Sequence, residues 1–154
     1  MSPRGDSPFF GPSLRDQCVR AAEAAFPLEA CGVLLGRGVA GRSEVRRPSP
    51  PRPERTRPRG IRLHLAVSLP NLAADPFRAF LIDPLALMRV EKEARREGLE
   101  ILGIFHSHPE GGGPSSSDLA LPFSFPLHLL LRGPRPWTFC RVRPPRSGSL
   151  RPVR

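Results

Sequence analysis

The chain has 154 residues, 39% of them hydrophobic and 25% charged, with a formal net charge of +10. That is enough for one domain with a core that needs no staples, and no stretch approaches the roughly 18 apolar residues that cross a bilayer. The three cysteines, Cys18, Cys31 and Cys140, are too scattered for a disulfide framework or a zinc knuckle.

The positive charge is nearly all arginine, with Lys92 the sole lysine, beside 21 prolines and 14 glycines. Such a pattern reads as compositional bias rather than a built nucleic-acid surface, although a basic surface of any origin speeds association with acidic partners. Residues Met1 to Asp6 lack the apolar core of a signal peptide, so a cytoplasmic protein is expected.

Residues 1–12, punctuated by Pro and Gly, are expected to form a loose tail. Ser13 is placed to cap a helix, with Asp16 completing a capping-box-like pair. Leu14, Cys18, Ala21, Ala22 and Ala25 recur at helical spacing and mark its buried stripe, with Cys18 a small core residue. Pro27 ends it. Cys31 to Arg37 reads as a short apolar strand, Gly38 as a turn, and Val39 to Val45 as a second strand. Residues 46–60, almost wholly Arg, Pro, Ser and Glu, read as a solvated insertion. Read instead as a nucleic-acid-binding arm, the segment lacks interleaved aromatic residues for base stacking.

A strand is expected at Ile61 to Leu69. Asp83 and Pro84 then suit a helix cap and first helical residue. Leu87, Val90 and Ala94 make that helix's buried side, Arg89, Lys92, Glu93 and Arg96 its wet side, and Gly98 its stop. The apolar run Ile101, Leu102, Ile104 and Phe105 reads as a buried strand closing on His106-Ser107-His108-Pro109. Leu127 to Leu131 and Thr138 to Val142 are closing strands, and residues 144–154 a frayed tail. This order implies an α/β domain over 13–143, a mixed sheet flanked by helices.

The richest chemistry lies between His106 and Asp118. Side chains alternate along a strand, so His106 and His108 share a face and Ser107 takes the other. Two imidazoles and a carboxylate returned by the glycine loop make three ligands for zinc, which leaves a fourth position for water, as in a catalytic site. The plainer alternative is a pair of satisfied histidines at a strand end. Ser115 and Asp118 also read as a capping pair for a short helix through Leu119, Ala120 and Leu121, which is compatible with ligation. His64 and His128 sit within apolar strands and read as structural or surface imidazoles. Cys31 has no adjacent base and apolar neighbours, so a packed thiol is favoured over a nucleophile. The helical HExxH pattern of other zinc peptidases is absent.

His106-x-His108-Pro109, a loop, Ser115-x-x-Asp118 and an upstream Glu29 in Leu-Glu-Ala-Cys-Gly-Val-Leu-Leu-Gly together resemble the JAMM motif of the JAB/MPN metallopeptidases, specifically their small prokaryotic members. Asn71, the Ile82-Asp83-Pro84 step and Gly98 to Gly103 extend the resemblance. It implies the MPN (cytidine deaminase-like) fold, with His106, His108 and Asp118 binding Zn2+, Glu29 as general base, and Ser115 helping to hold the tetrahedral intermediate. One donor of that kind typically contributes on the order of 3 kcal/mol. Without the motif, Glu29 is an ordinary charge at a helix-to-strand turn. Six residues separate His108 from Ser115, where the family has seven. Either Gly111, Gly112 and Gly113 absorb the deletion, or Ser116 takes the place of the serine. The implied activity is hydrolysis of a peptide or isopeptide bond at the C-terminus of a small ubiquitin-like or sulfur-carrier protein, without membrane or nucleic-acid partners. The competing expectations are an inactive MPN scaffold and, further off, a basic nucleic-acid-binding protein.

Overall fold

The computed structural model describes residues 12–38, 61–120 and 125–143. The strand expected at 39–45, the insertion at 46–60, residues 1–11 and the C-terminal tail lie outside them. Among the described residues no helix is long and apolar enough to cross a membrane.

Helix α1 spans Pro12–Ala25, one residue earlier than Ser13 alone suggested. Proline suits a first helical position because that N–H has no intrahelical acceptor to lose. Ser13 therefore lies inside the first turn, where its hydroxyl accepts from Gln17 Nε2 at 3.3 Å. Leu14, Cys18 and Ala22 are buried as the stripe requires, while Ala21 and Ala25 are only half-buried.

Among the described residues five strands follow: β1 (Cys31–Gly38), β2 (Ile61–Leu69), β3 (Glu100–His108), β4 (Leu127–Arg132) and β5 (Thr138–Arg141), interrupted by α2 (Pro84–Arg96) and α3 (Ser116–Ala120). They form one mixed sheet in the order β2-β1-β3-β4-β5. Among the described strands only the β3–β4 pair is parallel. Gly38 is the last residue of β1 and pairs with Ile61, its N–H donating to Glu100 Oε1 at 3.1 Å, and the turn expected to begin there runs into residues outside the described ones.

Strand alternation sorts the core onto two faces. On one, Leu34, Phe105, Leu129 and Leu131 pack against Leu14, Cys18 and Ala22 of α1. On the other, Val33 and Leu35 meet Ala94 of α2, with Leu87, Val90, Ile101 and Ile104 around them. Gly32 permits the close approach between strands. A Cβ there would overlap the Val67 carbonyl oxygen and the Phe105 ring.

Helix α2 starts and stops as its punctuation predicts. Asp83 caps it, its carboxylate accepting from Leu85 N–H at 2.9 Å, and Pro84 follows. Gly98 adopts φ +68, a left-handed conformation favourable only to glycine. The chain then turns directly into β3, which carries the histidines.

Candidate metal centre

Strand pairing assembles the site. β1 runs antiparallel to β3 with Cys31 opposite His106, so continuing two residues back along β1 brings Glu29 opposite His108. Ser107 projects to the other face and locks this lead-in. Its Oγ accepts from Ala30 N–H at 2.8 Å and its own N–H donates to the Ala30 carbonyl at 3.0 Å. The Glu29 backbone is tied on its remaining side as well. Its N–H donates to the Pro76 carbonyl at 2.8 Å, and its carbonyl accepts from Asn71 Nδ2 at 3.0 Å. The same Asn71 amide bonds the Ala79 carbonyl and the Ala73 and Leu81 N–H groups. One side chain thus fastens the 71–81 segment beside the carboxylate.

The donor atoms converge. His106 Nε2 and His108 Nε2 lie 3.2 Å apart, and Asp118 Oδ2 is 3.2 Å from each. Zinc bonds of about 2.0–2.1 Å in a tetrahedron put neighbouring ligand atoms roughly 3.3–3.4 Å apart, so this triangle has the dimensions of one tetrahedral face. Glu29 Oε1 is 3.6 Å from His108 Nε2, and the ligand atoms of Glu29, His106 and His108 all fall within 4.8 Å of one another, a group that can hold a metal ion. Of the two carboxylates, Asp118 makes the tighter set with the imidazoles. Glu29 Oε2 is buried without a hydrogen-bond partner, an oxygen that burial makes costly unless something else occupies the site.

Electrostatics separates the two acids. Burial raises the Glu29 carboxyl to about 7, with His108 opposing and Asp118 and Asp75 reinforcing. Burial also pushes Asp118 upward, but hydrogen bonds from His106 and His108, with the Ser115 backbone, outweigh it and hold this carboxyl well below the usual range. Burial lowers His106 against the pull of Asp118. His108 is raised, first by its bond to Asp118. In the metal-free protein one acid is therefore held as an anion while the other titrates near neutrality.

The short loop is accommodated where glycine allows it. Gly111 and Gly112 adopt φ +84 and +89, and the His108 carbonyl accepts from both Gly111 and Gly133 N–H at 3.0 and 2.9 Å. Ser115 and Asp118 cap α3 reciprocally. Ser115 N–H donates to Asp118 Oδ2 at 2.8 Å and Ser115 Oγ accepts from Asp118 N–H at 3.1 Å. The cap thus aims the same oxygen that faces the imidazoles. Ser116 is exposed at the start of α3.

Three residues at the site escaped the sequence reading in this role. His128, 3% exposed, is no surface imidazole; its Nε2 lies 2.9 Å from His106 Nδ1. Its spacing on β4 hid this, since only the strand order reveals that it shares a face with His106. Phe80 stacks on His106 with ring centroids 4.4 Å apart, and no motif marks it. Asn71 carries a polar amide among apolar neighbours, which is a usable signal for a loop clamp. Cys31 is fully buried, with Sγ against the Leu69 and Pro70 carbonyls, and burial pushes the thiol up to about 11. It is a packed thiol. His64 is exposed on β2, away from the metal group.

Known proteins resemble the chain in sequence and in fold. The family described as prokaryotic homologs of the JAB domain matches residues 11–142. A Thermus thermophilus protein named "Probable TtuB-protein conjugate cleaving protease" is 48% identical over 54 residues, 34% of this chain. The match spans 36% of that relative's length. The solution structure of protein DSY2949 from Desulfitobacterium hafniense superposes with a TM-score of 0.64 at 26% identity, over 83% of this chain and 77% of the other. A Salinibacter ruber protein shares the fold at 22% identity and a TM-score of 0.51, over 93% and 94% of the two chains. With five mixed strands, flanking helices and a match across most of its length, the chain belongs to the prokaryotic JAB-domain family.

Proposed function

We propose that this protein is a zinc-dependent peptidase of JAMM type, acting at the C-terminus of a small ubiquitin-like or sulfur-carrier protein. The observation that carries the reading is the triangle of 3.2 Å edges formed by His106, His108 and Asp118, with an unpartnered Glu29 oxygen beside it. His106, His108 and Asp118 would hold the ion. When bound, zinc would polarise the scissile carbonyl and acidify water at its open position.

The remaining chemistry belongs to the chain. Glu29 would accept the proton of the attacking water on Oε2 and return it to the departing nitrogen, a transfer open to a carboxylate positioned beside that water. The Ala30–Ser107 and Asn71 bonds fix that carboxylate's backbone on both sides. Ser115 Oγ already accepts the Asp118 N–H, which leaves its hydroxyl hydrogen to donate to the oxyanion of the intermediate. The basic chain favours encounter with an acidic carrier. The Thermus relative's name, with its reference to a protein conjugate, supports a substrate of this kind.

The test is release of a C-terminal extension from candidate carrier proteins, followed by mass spectrometry. The zinc-loaded protein should cleave at the carrier's last residue, and the chelated protein and Glu29→Gln should not. Release that persists in the Glu29 variant would refute the assigned base.

A further inference from the structure

His106 is fully buried, and a ring that offers Nε2 to an ion carries its hydrogen on Nδ1. That N–H needs an acceptor, because a buried donor left unpaired costs about 1–3 kcal/mol. The atom in reach is His128 Nε2, at 2.9 Å. His128 lies on β4 opposite Ile104, on the sheet face that carries His106. Phe80 stacks on His106 and meets His128 edge-on at 6.3 Å between centroids, so the two imidazoles and one phenyl ring form a compact cluster.

Histidine ligands usually donate their second nitrogen to a carboxylate, a backbone carbonyl or water. His106 instead faces a second imidazole, which accepts only when its own hydrogen sits on Nδ1.

We infer that His128 is a positioning residue, its Nε2 accepting the Nδ1 proton of His106 and so fixing the tautomer that turns His106 Nε2 toward the metal. The inference rests on the metal reading proposed above. It makes the orientation of one ligand depend on a single side chain from a strand that supplies no ligand.

Zinc affinity, measured by competition with a chromogenic chelator, tests it without reference to activity. His128→Leu should weaken zinc binding about 10- to 100-fold, the usual cost of losing such a partner. His128→Gln, whose amide oxygen can stand where Nε2 stood, should recover to within about threefold of wild type. Nitrogen-15 NMR of the zinc-loaded wild type supplies an arm that no misfolded variant can spoil. It should show His106 protonated on Nδ1, with a coupling through the hydrogen bond to His128 Nε2. Unchanged affinity in His128→Leu, equal losses in both variants, or a His106 proton on Nε2 would each overturn the inference. A wild-type chain that binds no zinc would overturn the metal reading, and this inference with it.

Discussion

Glu29 is the residue on which stability and chemistry pull apart. Its carboxyl is raised from 4.5 to about 7, chiefly by burial, so the metal-free fold prefers it protonated. A raised carboxyl contributes its stability below the unfolded value of 4.5, and that stability is lost as pH rises through about 7. Glu29→Gln should therefore stabilise the metal-free protein above pH 7, by on the order of 2 kcal/mol, with little gain near pH 4. Urea unfolding at the two pH values checks this. In the zinc-loaded protein the same substitution should cut kcat roughly 10³-fold while zinc content stays near one per chain. The convergence of His106 and His108 was legible in the sequence, because His106-x-His108 fixes a shared face by strand geometry alone. The partner of His106 was not, because His128 meets it only through the parallel β3–β4 pairing, which joins residues 22 positions apart.

Among the elements, the β1–β3 pair carries the site. Ser107 points away from the metal group yet holds Glu29 opposite His108 through Ala30. Ser107→Ala should leave the Ala30 N–H buried and unpaired, costing about 1–3 kcal/mol. It should also lower kcat in the zinc-loaded protein while zinc affinity changes little, which calorimetry and kinetics would separate. Gly32 sets how closely the same strands pack. Gly32→Ala should destabilise by about 1–3 kcal/mol or more, seen as a lower melting temperature, since the added methyl meets backbone and an aromatic ring. Element boundaries were readable where punctuation was strong, as at Asp83, Pro84 and Gly98. They slipped where a residue had two uses. Pro12 began α1 ahead of Ser13.

For the whole molecule, the site binds one end of the sheet together. Residues 29, 106, 108 and 118 arise from the β1 lead-in, β3 and α3, so an ion there links segments far apart in the chain. Zinc at a hundredfold its Kd should raise the unfolding free energy by about 2.7 kcal/mol, and a chelator should remove the gain. His106→Ala should abolish both the gain and the bound metal. The net charge of +10 acts at this scale too. Added salt should lower kcat/KM toward an acidic carrier while kcat holds, because screening weakens encounter rather than chemistry. The succession of expected strands and helices announced an α/β domain but could not order its strands. That order follows from which edges pair, and here it places β3 between an antiparallel and a parallel neighbour.

Anomalous diffraction at the zinc edge, from crystals of the zinc-loaded protein, bears most directly on this account. A single peak within bonding distance of His106 Nε2, His108 Nε2 and Asp118 Oδ2, with Glu29 near the ion but not bonded to it, is the result expected. A peak bound by Glu29 in place of Asp118, or no peak between the two imidazoles, would contradict it.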